Sequence, residues 1–150
     1  MFDKLSKVKM IMTADVISVK PETTMDEVSF LLKSQNVHHI PVVQNDTVVG
    51  MISTTDLHKL EHHFTLFKTR NADSVNQSVM RSMLAREVMS HPVATIKSEA
   101  TLASAAAFFR ENLFHALPVV DGQNKLVGII TPYDLMNYAY WPEEIAVIED

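Results

Sequence analysis

Cysteine is absent from this sequence of 150 residues, which excludes disulfide bonds and thiolate metal sites. Long apolar runs are absent too: nowhere do about 18 apolar residues follow one another, as a membrane-spanning helix requires, and the N-terminus lacks the apolar core of a signal peptide. Excess positive charge is also missing, since the formal net charge is −5, and nonspecific binding to nucleic acids needs a basic face. We therefore expect a cytoplasmic protein that binds neither membranes nor nucleic acids.

Glycine is scarce, with three residues in the chain, but two of the three begin closely similar octapeptides. These are GMISTTDL at 50–57 and GIITPYDL at 128–135. A glycine at such a place either permits a bend or bulge in a strand, or lets the backbone approach a ligand closely. The sequence leaves both interpretations open.

The octapeptides belong to a repeat that covers most of the chain. Met12 aligns with Met89 at an offset of 77, which holds as far as Val43 and Val120. Both octapeptides then align at an offset of 78, because the second copy has one more residue in a turn, where insertions are tolerated. Each copy has about 50 residues, which is small for an independent core, so we expect the copies to share one.

Both copies have the same predicted order of elements, β-α-β-β-α. A short apolar run (16–19 or 93–96) predicts the first strand, a segment of helical periodicity follows, and two β-rich runs around a polar turn predict a hairpin. A second helix is predicted to begin at Asp56 or Asp134. The predicted fold class is therefore α/β (α+β) with two pseudo-symmetric repeats.

The first helix of each copy has a predicted cap and a predicted apolar stripe. Thr24 and Glu27 have the spacing of a capping box, and Thr101 is the corresponding cap in the second copy. The stripes consist of Met25, Val28, Leu31 and Leu32 in the first copy and Leu102, Ala105, Phe108 and Phe109 in the second.

The repeat also sets the predicted domain boundaries. The first copy covers residues 8–62 and the second covers 85–140. Between them, residues 63–84 are predicted to form a linker followed by a connecting helix. Residues 141–150 form a C-terminal tail.

The pattern Ser53-x-x-Asp56, repeated as Thr131-x-x-Asp134, has two chemical interpretations. The simpler one is helix capping, in which the hydroxyl and the carboxylate satisfy the free amides of a first helical turn. Pro132 supports it, since proline suits the first helical position. The other is ligand binding, because free N–H groups at a helix start attract phosphate and a carboxylate can accept from two vicinal hydroxyls, as on a ribose.

The ordered set of motifs resembles a tandem pair of CBS domains, known as a Bateman module. Met-Thr/Ser, His-x-x-Pro-Val-Val and Gly-x-Ile-Ser/Thr-x-x-Asp-Leu follow one another twice between residues 8 and 138. The resemblance implies two CBS repeats packed sheet to sheet, with an adenine nucleotide or adenosyl ligand (AMP, ADP, ATP, S-adenosylmethionine or NAD(H)) in the clefts between them. It also implies a stand-alone regulatory module, often a homodimer, that requires no cofactor.

The same resemblance assigns roles to single residues. In this family the Asp of the octapeptide binds ribose and nearby hydroxyl residues face phosphate, which implies Ser53, Thr55 and Asp56 in the first copy and Thr131, Tyr133 and Asp134 in the second. The other copy supplies the adenine slot, which implies Thr13, Ile17, Ser18, Val37 and His38 for the Asp134 site and Ser90, Ala94, Thr95, Phe114 and His115 for the Asp56 site. The alternative is that the slot residues are ordinary core residues of two strands. Tyr133 replaces the smaller Thr55, so the two affinities need not be equal.

A further cluster of histidines, His58, His62 and His63, has the i, i+4 spacing that can bind zinc on a helix. No Glu follows the first His and no third ligand is evident. We therefore favour a solvated helix face and expect no metal.

The motifs are compared with three classes of function: a regulatory module, an interaction module and an enzyme. The favoured one is a regulatory module that senses an adenine nucleotide and transmits occupancy to an unknown partner protein. The alternative is a dimerisation or interaction module with vestigial or empty nucleotide sites, suggested by Tyr138, Tyr140 and Trp141. An enzyme is not expected, because neither a nucleophile–base pair nor a P-loop occurs.

Overall fold

The structure is a computed structural model that describes residues 3–65 and 72–141. Its mixture of helices and small sheets confirms the predicted α+β class. The chain divides into two compact units: the first-repeat unit is Ile17–Val93, and the second-repeat unit combines Met1–Val16 with Ala94–Asp150. The compact units and the sequence copies therefore do not coincide, because the residues that begin the first copy fold with the second.

The first-repeat unit contains one hairpin and four helices among its described residues. These elements are α1 (Met25–Ser34), β1 (His39–Gln44), β2 (Thr47–Ser53), α2 (Thr54–Thr65), α3 (Ala72–Ser82) and α4 (Ala85–Val88). The strands β1 and β2 are antiparallel and are joined by Asn45 and Asp46, whose φ values of 50° and 64° suit a tight hairpin turn. Part of the predicted linker, residues 66–71, lies outside the described residues.

The second-repeat unit contains a three-stranded sheet. Its elements are a 3₁₀ turn (Val8–Met10), β3 (Ile96–Lys97), α5 (Leu102–Asn112), β4 (Leu117–Val120), β5 (Leu126–Ile130) and α6 (Pro132–Tyr140). The strand β3 pairs parallel with β4, and β4 pairs antiparallel with β5. Residues 142–150, most of the predicted tail, lie outside the described residues.

Each unit has its own apolar core, and the predicted helical stripes contribute to both. Met25, Val28 and Leu32 of α1 are buried, and Leu31 packs beside them. In α5 the buried members are Leu102, Ala105 and Phe109, with Phe108 partly buried. Because these side chains recur at helical spacing, each helix places one apolar face on its sheet. The described buried residues thus form one apolar cluster in each unit, and a core shared by both copies stays a prediction.

The predicted first strands are much shorter than expected. In the first-repeat unit only Val19 pairs, through an isolated parallel bridge to Val42, and in the second-repeat unit the strand is Ile96–Lys97. The chain passes from one unit to the other within the predicted strands, after Val16 and after Val93. An extended segment that changes units cannot pair along its whole length with a single sheet.

Two equivalent segments complete the units, and we call them the closing segments: residues 6–13 in the second-repeat unit and 83–90 in the first-repeat unit. In the second-repeat unit, the amide of Val8 donates to the carbonyl of Ala100 over 2.9 Å, and the amide of Leu102 donates to Ser6 over 2.9 Å. The offset of 77 maps these bonds onto the first-repeat unit, where Ala85 donates to Thr23 over 2.7 Å and Met25 donates to Met83 over 2.8 Å. Each closing segment thus satisfies an amide at the start of α1 or α5.

The predicted caps of these two helices differ in outcome. Thr101 is confirmed as the cap of α5, because its hydroxyl accepts from the amide of Ser104 over 3.2 Å. Thr24 precedes α1 but its side chain makes no capping bond, so the predicted capping box with Glu27 is wrong. The closing segments do not account for this difference, because the first amides of both helices donate to them, Met25 to Met83 and Leu102 to Ser6.

Candidate functional site

The first octapeptide joins β2 to α2 through a reciprocal cap. The amide and the hydroxyl of Ser53 each donate to Oδ2 of Asp56 over 2.8 Å. In return, the amide of Asp56 donates to the Ser53 hydroxyl over 3.2 Å. The helix therefore begins at Thr54, two residues earlier than predicted, because the cap residue is Ser53 and the carboxylate stands one turn inside.

The second octapeptide repeats this geometry at the start of α6. The amide and the hydroxyl of Thr131 donate to Oδ2 of Asp134 over 2.7 and 2.8 Å. The amide of Asp134 donates back to the Thr131 hydroxyl over 3.3 Å. Pro132 occupies the first turn as the capping interpretation expects, so α6 also begins two residues before the predicted Asp134.

The capping bonds engage one oxygen of each carboxylate and fix the direction of the other. Both bonds received by Asp56, and both received by Asp134, end on Oδ2. The second oxygen, Oδ1, takes no part in the cap. Capping and binding are therefore compatible, because the cap orients a carboxylate that keeps acceptor capacity.

Electrostatics at the second octapeptide is set by burial. Burial raises the pKa of Asp134 above its usual value, while the hydrogen bonds from Thr131 act in the opposite direction. A partly desolvated carboxylate gains more from a hydrogen-bond donor than one in water. Nearby, Tyr133 is 64% exposed, and Thr55 at the same position of the first octapeptide is also exposed.

The two glycines of the octapeptides are explained by methionines of the closing segments. A Cβ atom on Gly50 would clash with the side chain of Met89, with Cγ at 2.7 Å, and one on Gly128 would clash with Met12, with Cγ at 2.9 Å. Neither glycine has a positive φ, so backbone conformation does not require them. The close approach is to a side chain of the protein itself, and the repeated pair Met12 and Met89 was the sequence signal for it.

The closing segments also bring one predicted binding residue to each octapeptide. In the second-repeat unit, Thr13 and Ile129 exchange backbone hydrogen bonds of 2.9 and 3.0 Å, two residues before Thr131. In the first-repeat unit, Ser90 and Met51 exchange bonds of 2.9 and 3.2 Å, two residues before Ser53. Thr13 thus lies in the same unit as Asp134, and Ser90 lies in the same unit as Asp56.

The other predicted slot residues fall into the units as follows: Ile17, Ser18, Val37 and His38 belong to the first-repeat unit, and Ala94, Thr95, Phe114 and His115 belong to the second-repeat unit. The carbonyl of His38 accepts from the amide of Thr54 over 2.9 Å, which places this residue at the start of α2. The ring of Phe114 stacks on Phe108 with centroids 5.8 Å apart and is 40% exposed. The assignment of these residues to an adenine slot stays a prediction.

The helix α2 carries His58 and His62 of the predicted histidine cluster, and the side chain of His63 lies outside the described residues. Within residues 3–65 and 72–141, no group of three or more potential metal-ligating side chains converges. None of the helices in these ranges combines the length and the hydropathy needed to cross a membrane.

Comparison with known proteins gives matches over most of the chain. The family model of the CBS domain matches residues 8–63 and 85–140. The uncharacterized protein MJ1232 of Methanocaldococcus jannaschii is 30% identical over 122 residues, 81% of this chain and 36% of that protein. CBS domain-containing protein YhcV of Bacillus subtilis is 31% identical over 131 residues, 87% of this chain and 84% of that protein.

Solved structures share the fold at similar identity. CBSX2 of Arabidopsis thaliana, solved in complex with AMP, has a TM-score of 0.72 and 26% identity, and the match covers 91% of this chain and 98% of that one. The chain also matches inosine-5'-monophosphate dehydrogenases of Thermoplasma acidophilum and M. jannaschii but spans only 26% and 25% of their lengths. Two matches to the CBS model, which together cover most of the sequence, show that this chain belongs to the CBS domain family.

Proposed function

We propose that the chain is a regulatory module that binds an adenine nucleotide or an adenosyl ligand through its two octapeptides and transmits occupancy to a partner protein. The observation that carries the proposal is the matching arrangement of hydroxyl and carboxylate at the first turns of α2 and α6. In each, the cap orients the carboxylate while Oδ1 stays outside the capping bonds. An acceptor that is already oriented can take a ribose hydroxyl without a further ordering cost.

The chemistry of such a ligand fits the rest of each octapeptide. A phosphate is favoured beside the first turn of a helix, and the exposed hydroxyls of Thr55 and Tyr133 can donate to it. The slot residues that the family implies remain the predicted contacts of the adenine ring. CBSX2, which shares the fold at 26% identity, was solved with AMP, so AMP is the first ligand to test.

Isothermal titration calorimetry with AMP, ATP, S-adenosylmethionine and NADH tests the proposal, using protein shown by mass spectrometry to be free of nucleotide. Asp56→Asn and Asp134→Asn are the informative variants, because the amide oxygen keeps the cap while the NH₂ group that replaces the other oxygen cannot accept a ribose hydroxyl. We expect each variant to weaken its own site about tenfold or more. Asp73→Asn on the exposed first turn of α3 is the matched control.

Absence of binding by all four ligands would overturn the proposal. So would affinities that Asp56→Asn and Asp134→Asn leave unchanged. The Asp56 and Asp134 sites should differ in their affinity for the ligand, because Tyr133 is much larger than Thr55. The substitution Tyr133→Thr should bring the two affinities closer together.

We further propose that the module is not itself a catalyst. Its likeness to the inosine-5'-monophosphate dehydrogenases extends over about a quarter of those enzymes, which supports a shared regulatory region rather than a shared reaction. Bound nucleotide recovered unchanged after long incubation is the expected result. Stoichiometric turnover would contradict it.

A second candidate function, dimerisation or docking of a partner, is favoured by the surface of α6. Tyr133, Met136 and Tyr140 recur at helical spacing and are 64%, 44% and 74% exposed. The first-repeat unit has Thr55, His58 and His62 at these positions. We propose that the apolar stripe of α6 contributes to a homodimer interface.

Sedimentation equilibrium distinguishes the two functions. The variant M136H/Y140H, which copies the first-repeat unit at two positions outside the ligand site, should shift a dimer towards monomer. The double variant Asp56→Asn with Asp134→Asn should leave the oligomeric state unchanged if assembly and ligand binding are independent. A stripe variant that assembles like the wild type would contradict the proposed interface.

A further inference from the structure

The first-repeat unit has a groove of about 790 Å³ that is lined by none of the octapeptide residues and by one predicted slot residue, Ser18. Its walls are α1, the segment before α1 and the turn between β1 and β2. Val19, Leu31 and Val43 give it apolar walls, and the ring of Phe30 at its side is 68% exposed. An exposed aromatic ring beside an apolar groove is typical of a binding surface.

Acidic side chains dominate the charge of this groove. Asp26, Glu27 and Asp46 line it together with one basic residue, Lys20. Within the described ranges, Oδ1 of Asp26 is shielded from water and has no hydrogen-bond partner. A carboxylate oxygen in this condition costs stability unless a donor is supplied, which opposes the favourable position of Asp26 in the first turn of α1.

The second-repeat unit shows that the fold does not need these side chains. At the offset of 77, Asp26, Glu27 and Phe30 correspond to Ala103, Ser104 and Ala107. The helix α5 nevertheless forms over Leu102–Asn112 and buries the equivalent apolar stripe. The two acids and the aromatic ring therefore distinguish one unit from the other without being required by the architecture they share.

We propose that this groove docks a segment of a partner protein through an arginine flanked by apolar residues. Charge complementarity favours a cationic partner, because Asp26, Glu27 and Asp46 line the groove together with the single basic residue Lys20. A guanidinium can bind a carboxylate with two parallel hydrogen bonds and also stack on the exposed face of Phe30, whereas an ammonium cannot do both. The apolar neighbours of the arginine cover Val19 and Val43.

Titration of the ¹⁵N-labelled full chain with the capped tripeptide acetyl-Leu-Arg-Leu-amide, followed by heteronuclear NMR, tests the proposal. We expect chemical-shift changes at Lys20, Glu27 and Asn45, and none at the second-repeat counterparts Lys97 and Ser104. The peptide with citrulline in place of arginine keeps the shape without the charge. The citrulline peptide should bind more weakly by about tenfold or more. Added salt should weaken the binding of the arginine peptide.

Two variants keep the test independent of folding. Asp26→Ala with Glu27→Ser copies the second-repeat unit and should abolish the shifts; Phe30→Ala changes an exposed side chain and should weaken them. Glu111→Gln, on the exposed end of α5, removes one charge elsewhere and should leave binding unchanged. The proposal is overturned if the arginine peptide causes no chemical-shift changes, or if the citrulline peptide binds equally well. It is also overturned if the double variant still binds the arginine peptide, or if spermidine binds at the same place as tightly as that peptide.

Discussion

Ser53 and Asp56 in the first-repeat unit make the same reciprocal bonds as Thr131 and Asp134 in the second-repeat unit: 2.8, 2.8 and 3.2 Å against 2.7, 2.8 and 3.3 Å. The exposed surfaces of the two units differ strongly. The second-repeat unit exposes aromatic residues along α6, and the first-repeat unit has an acidic groove beside α1. The comparison teaches that duplication preserved the buried stripes, the caps and the close packing at glycine, while the exposed positions diverged.

The largest expected effect concerns the close packing, which is the feature that the units share most closely. Gly50→Ala and Gly128→Ala should each reduce the free energy of unfolding by about 1–3 kcal/mol, because the new methyl group forces Met89 or Met12 to move. Gly122→Ala is the control, since nothing lies within 4 Å of a Cβ atom there. Urea denaturation measures all three. A loss in only one unit would show that the two glycine contacts are not equivalent.

A smaller effect is expected at the starts of α1 and α5, where the units differ in their caps. Thr101→Ala should reduce the free energy of unfolding by about 1 kcal/mol, because the hydroxyl caps α5. Thr24→Ala should reduce it by less than about 0.5 kcal/mol, because the side chain makes no capping bond at α1. Thermal unfolding of the pair compares them directly. Equal losses would mean that Thr24 caps its helix in solution.

The smallest effect is a pH dependence of stability, with opposite signs at two carboxyl groups of the second-repeat unit. Burial raises the pKa of Asp134 above 3.8, so its contribution to stability is fully present below pH 3.8 and is lost as the pH rises through the raised pKa. The hydrogen bond from Lys9 lowers the pKa of Glu99 below 4.5. Its contribution is therefore present above pH 4.5 and is lost as the pH falls through the lowered pKa.

Urea denaturation of the wild type, Asp134→Asn and Glu99→Gln over about pH 3 to 6 gives the free energy of unfolding at each pH, and so the sign of each effect. The wild type should lose stability relative to Asp134→Asn as the pH rises, and gain stability relative to Glu99→Gln. Differences of the same sign would contradict the assignment of burial at Asp134.

Local patterns predicted much of the fold and part of the site. The stripe of Met25, Val28 and Leu32 is set by residues three and four apart, so the helix and its buried face could be predicted without knowing the rest of the molecule. The spacing of Thr131 and Asp134 likewise encodes a cap within one turn. The spacing of Thr24 and Glu27 predicted a cap in the same way, but the Thr24 side chain makes no capping bond.

The sequence by itself determined the repeat, the order of the elements and the two oriented carboxylates, because all of these depend on neighbours along the chain. The tertiary structure decided which closing segment completes which unit and why the octapeptides begin with glycine. Met12 lies against Gly128 and Met89 against Gly50, and contacts between residues so far apart depend on where the folded chain returns. The acidic groove was likewise decided by folding, which brings Lys20, Asp26 and Asp46 from three separate segments to one surface.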